Sequence, residues 1–185
     1  IVSPQSPQPQ FAGVRTAILG SIWMIGITLV VAFPLGVGAA IYMEEYARDN
    51  PVNRLIQVNI YNLAGVPSII YGLLGLAVLV RILGPITSGA VVGATTTPDA
   101  TGRTVLSAGL TLALLILPII IISSQEAIRA VPQSLRDSSY GLGATKWQTI
   151  WHHVIPASFD RILTGTILAV SRAAGDTATL ILTGA

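Results

Sequence analysis

The chain has 185 residues, of which 52% are hydrophobic and only 10% carry a charge. Soluble domains carry about 25% charged residues, so this chain cannot cover itself with a solvated surface, and its composition predicts an integral membrane protein. A net charge of +2 is too small to indicate a nucleic-acid-binding protein, and the lack of cysteine excludes a disulfide framework or a cysteine-metal site.

The two ends of the chain differ from the segment between them. The first eleven residues, IVSPQSPQPQF, are uncharged and rich in proline and glutamine, which predicts an extended N-terminal loop at residues 1–11. They lack the basic start of a signal peptide. The last residues, LILTGA, follow an apolar run without a polar tail. We therefore expect the chain to be part of a longer protein, with residues 12–185 forming one transmembrane domain.

Apolar segments between these ends predict an all-α, polytopic transmembrane helical bundle with about four spans. A helix of about 20 apolar residues crosses the hydrocarbon core. The predicted spans are Thr16–Met43, Leu55–Val80, Thr104–Gln125 and Ile162–Leu182. The second has a polar start, so we expect a break at Pro67 before a main span at Ile69–Leu83. Gly84–Gly102 is rich in glycine and threonine and predicts an external loop.

A polar segment at about residues 125–161 separates the last two spans. Basic residues of the loops indicate its side of the membrane, because cytoplasmic loops carry an excess of Lys and Arg. One side has six such residues and the other has three. The larger set is Arg48, Arg54, Arg129, Arg136, Lys146 and Arg161, and the smaller is Arg15, Arg81 and Arg103. The polar segment is therefore predicted to be cytoplasmic.

Within this segment, DSSYGLGATKWQTIWHHVIPA predicts two short helices joined by a glycine turn. Thr145 is a plausible N-cap for the second helix. An apolar face recurs at helical spacing on that helix, at Trp147, Ile150, Trp151 and Val154. Such a helix either lies in the membrane interface with its tryptophans as anchors, or docks into a groove on a cytoplasmic partner. Pro156 marks the start of the next span.

The same segment resembles the EAA loop of ABC-importer permease subunits. In that pattern Glu-Ala-Ala begins the motif, a Gly follows six residues after the Glu, and a Pro follows thirteen residues after the Gly. Asp137, Ser138 and Ser139 occupy the first three places here, and Gly143 and Pro156 keep the spacing. The acid and the small side chains are retained. The resemblance implies a MetI-like, type I importer permease whose coupling loop sits in a cleft of an ATPase subunit.

The resemblance also assigns roles within the loop. Asp137 and Gly143 are expected to shape the coupling turn, and Ser138 and Ser139 are also counted among the ATPase-coupling residues. A second group is expected to face the ATPase partner, namely Arg136, Tyr140 and Leu142.

Other stretches narrow the resemblance to one branch of these permeases. PLGVGAAIYMEEYA, NLAGVPSIIYGLLGL, SLRDSSYGLGATKWQTIW and LTGTILAVSRAAGDTATL are similar to permease subunits of the phosphate importer, and more so to the PstA type than to PstC. That family has six spans, so the first and last are expected to be missing here. The resemblance implies a bacterial inner-membrane location, alternating access, and three partners: a cytoplasmic ATPase subunit, a second, unlike permease subunit and an extracytoplasmic phosphate-binding protein.

Two charges interrupt the last predicted span, at Arg172 and Asp176. A charge at the centre of the bilayer costs roughly 2.5–3.5 kcal/mol on insertion scales, so exposure to lipid is disfavoured. Either the two form a structural ion pair between helices, or Arg172 lines a water-filled pathway and binds an anion while Asp176 orients its guanidinium. The family resemblance favours the pathway. In this helix the family has Gly-Glu-Thr-Ala-Pro, whereas here Asp replaces the Glu and Thr179 replaces the Pro.

The sequence shows no motif for ATP binding or for catalysis. G-x-x-x-x-G-K-[ST] is absent, and we find no nucleophile-base pair or metal-ligand cluster. We therefore expect a transport subunit that needs no cofactor and is not itself an enzyme, with hydrolysis by a partner. Two alternatives remain at this stage: a permease of the same family for molybdate, sulfate or an amino acid, or a membrane scaffold that transports nothing.

Overall fold

The first apolar segment forms a long helix, as the sequence predicts. In this computed structural model, which describes residues 15–82 and 104–176, helix α1 (Arg15–Ile41) contains Pro34 and continues into a π-helical turn at Tyr42–Tyr46. Membrane helices tolerate an internal proline because neighbouring groups satisfy the freed carbonyl. The predicted loops at residues 1–11 and Gly84–Gly102 lie outside the described residues, as does the predicted last span beyond residue 176.

Every regular element in the described part of the chain is helical, which confirms the predicted all-α class. The remaining elements are α2 (Pro51–Ala64), α3 (Ser68–Leu74) with a π-helical continuation at Gly75–Ile82, α4 (Val105–Arg129), α5 (Gln133–Gly141), α6 (Lys146–Thr149), a π-helical turn at Ile150–Val154, and α7 (Ile155–Gly175).

The second predicted span is broken at Pro67, as expected. Helix α2 begins with Pro51 in its first turn, and the Asn50 side chain accepts a hydrogen bond from the Val52 amide at 3.1 Å. The helix ends before Gly65, and α3 starts at Ser68 directly after the proline. Proline has no amide hydrogen to continue the α2 ladder, so it separates the two helices.

The last helix starts earlier than the sequence suggests. Instead of a new helix at Pro156, α6, the π-helical turn and α7 form one continuous helix from Lys146 to Gly175. In a regular α-helix the proline ring would clash with the carbonyl of His152, four residues earlier. The π-helical turn at Ile150–Val154 immediately precedes the proline, and such turns occur where the regular helical ladder is interrupted.

Three described helices are long and apolar enough to cross a membrane. They are Ile18–Tyr46, Val105–Arg129 and Lys146–Gly175, and the broken pair Pro51–Ala64 and Ser68–Ile82 makes a fourth if it is counted as one span. This number agrees with the predicted bundle of about four spans.

The described residues group into two compact units. The first contains residues 15–31, 66–82, 104–115 and 172–176, and the second contains residues 32–65 and 116–171. In the first unit α1 contacts α4 through the buried Thr28, whose hydroxyl donates to the carbonyls of Met24 at 2.8 Å and Gly109 at 3.0 Å. The expectation of one transmembrane domain over residues 12–185 stays a prediction.

In the second unit, glycines allow helices to approach α4 closely. A β-carbon built on Gly36 of α1 would lie 2.6 Å from Ile120 Cγ2, and one on Gly165 of α7 would lie 2.6 Å from the Ser123 side chain. Close approach at small residues is the usual basis of helix packing in membranes. The unit also contains the whole polar segment at residues 125–161.

Candidate functional site

The polar segment begins where α4 ends, at Arg129. Val131 and Pro132 connect it to α5, and Pro132 is extended with φ −57° and ψ 138°. The structure shows the predicted turn after the first short helix, but α6 is the start of the continuous helix that runs to Gly175 and not a separate short helix. Residues 129–149 are called the coupling loop here.

A glycine in the left-handed conformation ends α5. Gly143 has a φ of +82°, and its amide donates to the Tyr140 carbonyl at 2.9 Å. The next amide, of Ala144, donates to the Ser139 carbonyl at 3.2 Å. This pair of bonds is the Schellman motif, which requires a residue with positive φ after the C-cap, here Leu142. The Gly of the sequence motif thus has a backbone function: other residues are strained at this φ.

A complete capping box begins the helix after the turn. The Gln148 amide donates to the Thr145 hydroxyl at 3.3 Å, and the Thr145 amide donates to the Gln148 side-chain oxygen at 2.9 Å. Two amides that the first helical turn would leave unpaired are therefore satisfied. With both ends of the turn fixed by backbone bonds, the four residues between the helices have little freedom.

The small residues of the motif occupy two different environments. Ser138 is exposed, whereas Ser139 is 4% exposed and packs against the helix that follows the turn. Asp137 is exposed and accepts a hydrogen bond from the Gln133 side chain at 3.2 Å. A large side chain at position 139 would therefore displace α6, whereas the exposed position 138 has room for a larger side chain.

The tip of the coupling loop presents apolar side chains to its surroundings. Leu142, directly before the glycine turn, is 90% exposed, and Tyr140 is 40% exposed. On the following helix Trp147 and Trp151 are also exposed, and their rings are 5.4 Å apart. Four apolar or aromatic side chains are thus exposed within residues 140–151, which makes this tip a candidate contact surface.

The base of the coupling loop is fastened by Arg136. Its Nη2 lies 2.9 Å from Glu45 Oε1 and donates to the Ile128 carbonyl at 3.0 Å, while Nη1 donates to the Val131 carbonyl at 3.0 Å. The Arg136 and Glu45 side chains are 13% and 9% exposed. The structure thus turns Arg136 inward to its own chain, which differs from the expected position facing a partner.

A neighbouring ion pair lies at the surface. Arg129 Nη2 is 2.7 Å from Glu44 Oε1, and the arginine side chain is 56% exposed. Together the two ion pairs bring the end of α1 to the coupling loop.

A polar cavity of about 390 Å³ lies at these two ion pairs. It is lined by Glu44, Glu45, Arg129, Gln133, Arg136, Tyr140 and Lys146. Within the part of the chain that the structure describes, no cluster of His, Cys, Asp or Glu suits a metal ion.

Arg172 and Asp176 lie at the other end of the helix that begins at Lys146. Arg172 is exposed on α7, while the next residue, Ala173, is buried. Asp176 follows the last helical residue and is half-buried, and its amide donates to the Ala173 carbonyl at 3.2 Å. These two residues belong to the first compact unit, whereas the predicted coupling-loop residues belong to the second.

Sequence reasoning did not single out Glu44 and Glu45. Two adjacent acids at the end of an apolar span were the available signal. Their partners, however, are 85 and 91 residues away in the chain, so no local pattern links them.

Comparisons with known proteins agree with this architecture. The probable ABC transporter permease protein YqgH of Bacillus subtilis is 36% identical over 174 residues, covering 94% of this chain and 52% of the relative. The phosphate transport system permease protein PstA 1 of Mycobacterium tuberculosis is 34% identical over 95% of this chain and 53% of its own. The phosphate transport system permease protein PstC of Xylella fastidiosa is 33% identical over 89% of this chain and 53% of its own. The chain spans about half the length of these curated relatives.

A solved structure and a family model complete the comparison. The chain resembles the fold seen in inward-facing conformations of the MetNI methionine ABC transporter, with a TM-score of 0.58 and 19% identity, over 88% of this chain and 68% of that one. The family model for binding-protein-dependent transport system inner membrane components matches residues 32–185. This chain therefore belongs to that family of ABC transporter permeases, and it is a multi-pass protein of the bacterial inner membrane.

Proposed function

We propose that the chain is a channel-forming subunit of an ATP-driven importer of inorganic phosphate, which a separate ATPase subunit drives through the coupling loop. The observation that carries the proposal is the coupling loop itself: an apolar tip, with Leu142 90% exposed, held by a Schellman turn and a capping box. A projecting apolar group on a rigid support suits a groove in a partner, because little conformational entropy is lost on binding.

Roles within the coupling loop follow from exposure. Leu142 and Tyr140 are the proposed contacts with the ATPase, and Asp137 and Ser138 lie exposed beside them. Ser139 and Gly143 set the angle between α5 and α6. We place Arg136 in the support of the loop, because its guanidinium is bonded to groups of its own chain.

The proposed substrate pathway includes Arg172. Residues 162–171 of α7 carry no charge, so an exposed guanidinium directly after them, on Arg172, is costly against lipid. We propose that a water-filled pathway between this chain and a second, unlike permease covers it. A planar guanidinium fork matches two oxygens of an oxyanion, which supports an anionic cargo. Asp176, one helical turn further along the chain, is proposed to orient Arg172 and to prevent the anion from binding too tightly to be released.

Support for phosphate comes from relatives named as phosphate transport system permeases, at 33–34% identity over most of the chain. An extracytoplasmic binding protein is proposed to deliver phosphate to the outer face. Closure of the ATPase subunits on ATP is proposed to move the coupling loop, and the two permeases then open alternately to each side.

Uptake of radiolabelled phosphate into vesicles that contain all subunits tests the proposal, with sulfate as competitor. We expect ATP-dependent uptake that excess sulfate does not reduce. Inhibition by sulfate equal to that by unlabelled phosphate would assign a general oxyanion permease instead, and ATP hydrolysis without any oxyanion uptake would reject the proposed cargo.

A further inference from the structure

We propose that Glu45 and Arg136 are positioning residues that join the coupling loop rigidly to the cytoplasmic end of the first span. Displacement of the loop by the ATPase would then move the end of α1 with it. This inference rests on the proposed function, because it concerns how motion of the loop reaches the spans.

The hydrogen bonds of the Arg136 guanidinium are the first evidence for this connection. One guanidinium bonds the Glu45 carboxylate at the end of α1 and two carbonyls, of Ile128 in α4 and Val131 after it. The last carbonyls of a helix have no partner within that helix, so the bond to the Ile128 carbonyl also helps to satisfy the end of α4. The Arg136 side chain, on α5, therefore connects three segments of the chain at one point.

Burial makes this connection stiff. The Glu45 and Arg136 side chains are 9% and 13% exposed, so solvent screens their attraction far less than at the surface. A small apolar cluster contains residues of the same segments and of the π-helical turn at Ile150–Val154. Ala40 of α1, Ile128, Val131 and Val154 are buried in it, and Leu135 of α5 packs against it. The joint thus combines apolar packing with a directional ion pair.

A second ion pair one residue away gives a natural comparison. Glu44 pairs with Arg129 at 2.7 Å, but the arginine is 56% exposed. Exposed ion pairs contribute little to stability, whereas breaking a buried pair leaves an uncompensated charge. Both acids lie in the π-helical turn at Tyr42–Tyr46, and their side chains are similarly buried, at 13% and 9% exposed. The two pairs therefore differ in the exposure of the arginine, 56% for Arg129 and 13% for Arg136.

The structure separates this joint from the fold of the coupling loop itself. The Schellman turn at Gly143, the capping box at Thr145 and the hydrogen bond between Ser139 and Thr149 involve neither Glu45 nor Arg136. Replacing Glu45 by Gln should therefore leave the loop folded and able to bind the ATPase, while loosening its connection to α1.

The decisive measurement is a distance across the joint in the complete transporter. The chain contains no cysteine, so spin labels can be placed at Leu35→Cys on α1 and Ser134→Cys on α5, two exposed positions in the same compact unit. With Glu45 intact we expect one narrow distance distribution that stays the same with and without trapped ATP. In Glu45→Gln we expect a broad distribution that shifts when ATP is trapped. Glu44→Gln is the matched control and should keep the narrow distribution.

A functional readout accompanies the distances. In Glu45→Gln we expect ATPase subunits to co-purify and ATP hydrolysis to persist, while phosphate transported per ATP falls about tenfold, within the usual range of coupling between sites. Equal distributions in Glu45→Gln and the intact chain would overturn the inference, as would a broad distribution in the intact chain or an equal loss in Glu44→Gln. Because the distances require no cargo, they test the joint even if the transporter carries something other than phosphate.

Discussion

The hydroxyl oxygen of Ser139 lies 2.9 Å from that of Thr149, and this contact joins α5 and α6 of the coupling loop. Both residues are buried, and the Thr149 hydroxyl also donates a hydrogen bond to the Thr145 carbonyl at 3.2 Å. The motif position that holds alanine in the resembling family is thus a serine that has a specific partner here.

We predict that Ser139→Ala is tolerated and that Ser139→Leu is not. Alanine loses one hydrogen bond, a cost of about 0.5–1.5 kcal/mol, and Thr149 keeps its bond to the Thr145 carbonyl. Leucine must displace the following helix, and overpacking costs about 1–3 kcal/mol. Thermal unfolding and co-purification of ATPase subunits provide the measurement. Ser138→Leu, at the exposed neighbour, is the control for stability and should unfold at the temperature of the unchanged chain.

Gly143 should be the most sensitive position of the turn. At its φ of +82° a side chain costs roughly 1–2 kcal/mol, so Gly143→Val is expected to open the Schellman turn and displace Leu142. We expect ATP hydrolysis to continue while uptake falls. Gly141→Ala is the control, because Gly141 is helical and a β-carbon there meets nothing within 4 Å. Normal coupling in Gly143→Val would contradict the assigned turn.

Close packing of α1 on α4 predicts a difference between two glycines in one helix. In Gly36→Ala the new β-carbon would meet Ile120 Cγ2 at 2.6 Å, so the helices must separate or the isoleucine must change rotamer, at a cost of about 1–3 kcal/mol. Gly38→Ala meets nothing within 4 Å and should be neutral or slightly stabilising. Melting temperatures in detergent distinguish the two variants. Equal values would show that the helices do not pack at Gly36.

Gln57 of α2 and Gln125 of α4 exchange two amide hydrogen bonds, each 2.9 Å long. Replacing either one by Leu leaves the other amide without its partner. We therefore expect each single change to destabilise by about 0.6–2 kcal/mol, and the double change to cost less than the sum of the two. A double-mutant cycle on unfolding in detergent measures this coupling. Strictly additive effects would mean that the paired amides contribute no interaction energy.

Replacing Arg172 by Gln should abolish most phosphate uptake without loss of assembly. The change removes the positive charge proposed to meet the anion, and an interaction with a charged group is worth about 1.5–3 kcal/mol, or roughly a tenfold to hundredfold loss. Arg161→Gln, at an exposed arginine nearer the start of α7, is the control and should retain uptake. Unchanged uptake in an assembled Arg172→Gln transporter would remove this residue from the pathway.

Much of the architecture could be predicted because it depends on local composition. The spans follow from runs of uncharged apolar residues, the break at Pro67 from a missing amide hydrogen, and the glycine turn from a conformation that few other residues adopt. The continuous helix through Pro156 could not be predicted in this way. A proline normally ends a helix, and only the three-dimensional course of the backbone shows the π-helical turn that accommodates it.

The helical membrane class and the position of the glycine turn follow from the amino-acid sequence alone, because hydropathy and backbone preferences are properties of short segments. The inward position of Arg136 beside Glu45, the burial of Ser139 but not Ser138, and the projection of Leu142 from the tip depend on how the helices pack. Glu45 and Arg136 are 91 residues apart in the chain. Their contact exists because helix packing brings the two segments together, and no local pattern contains that information.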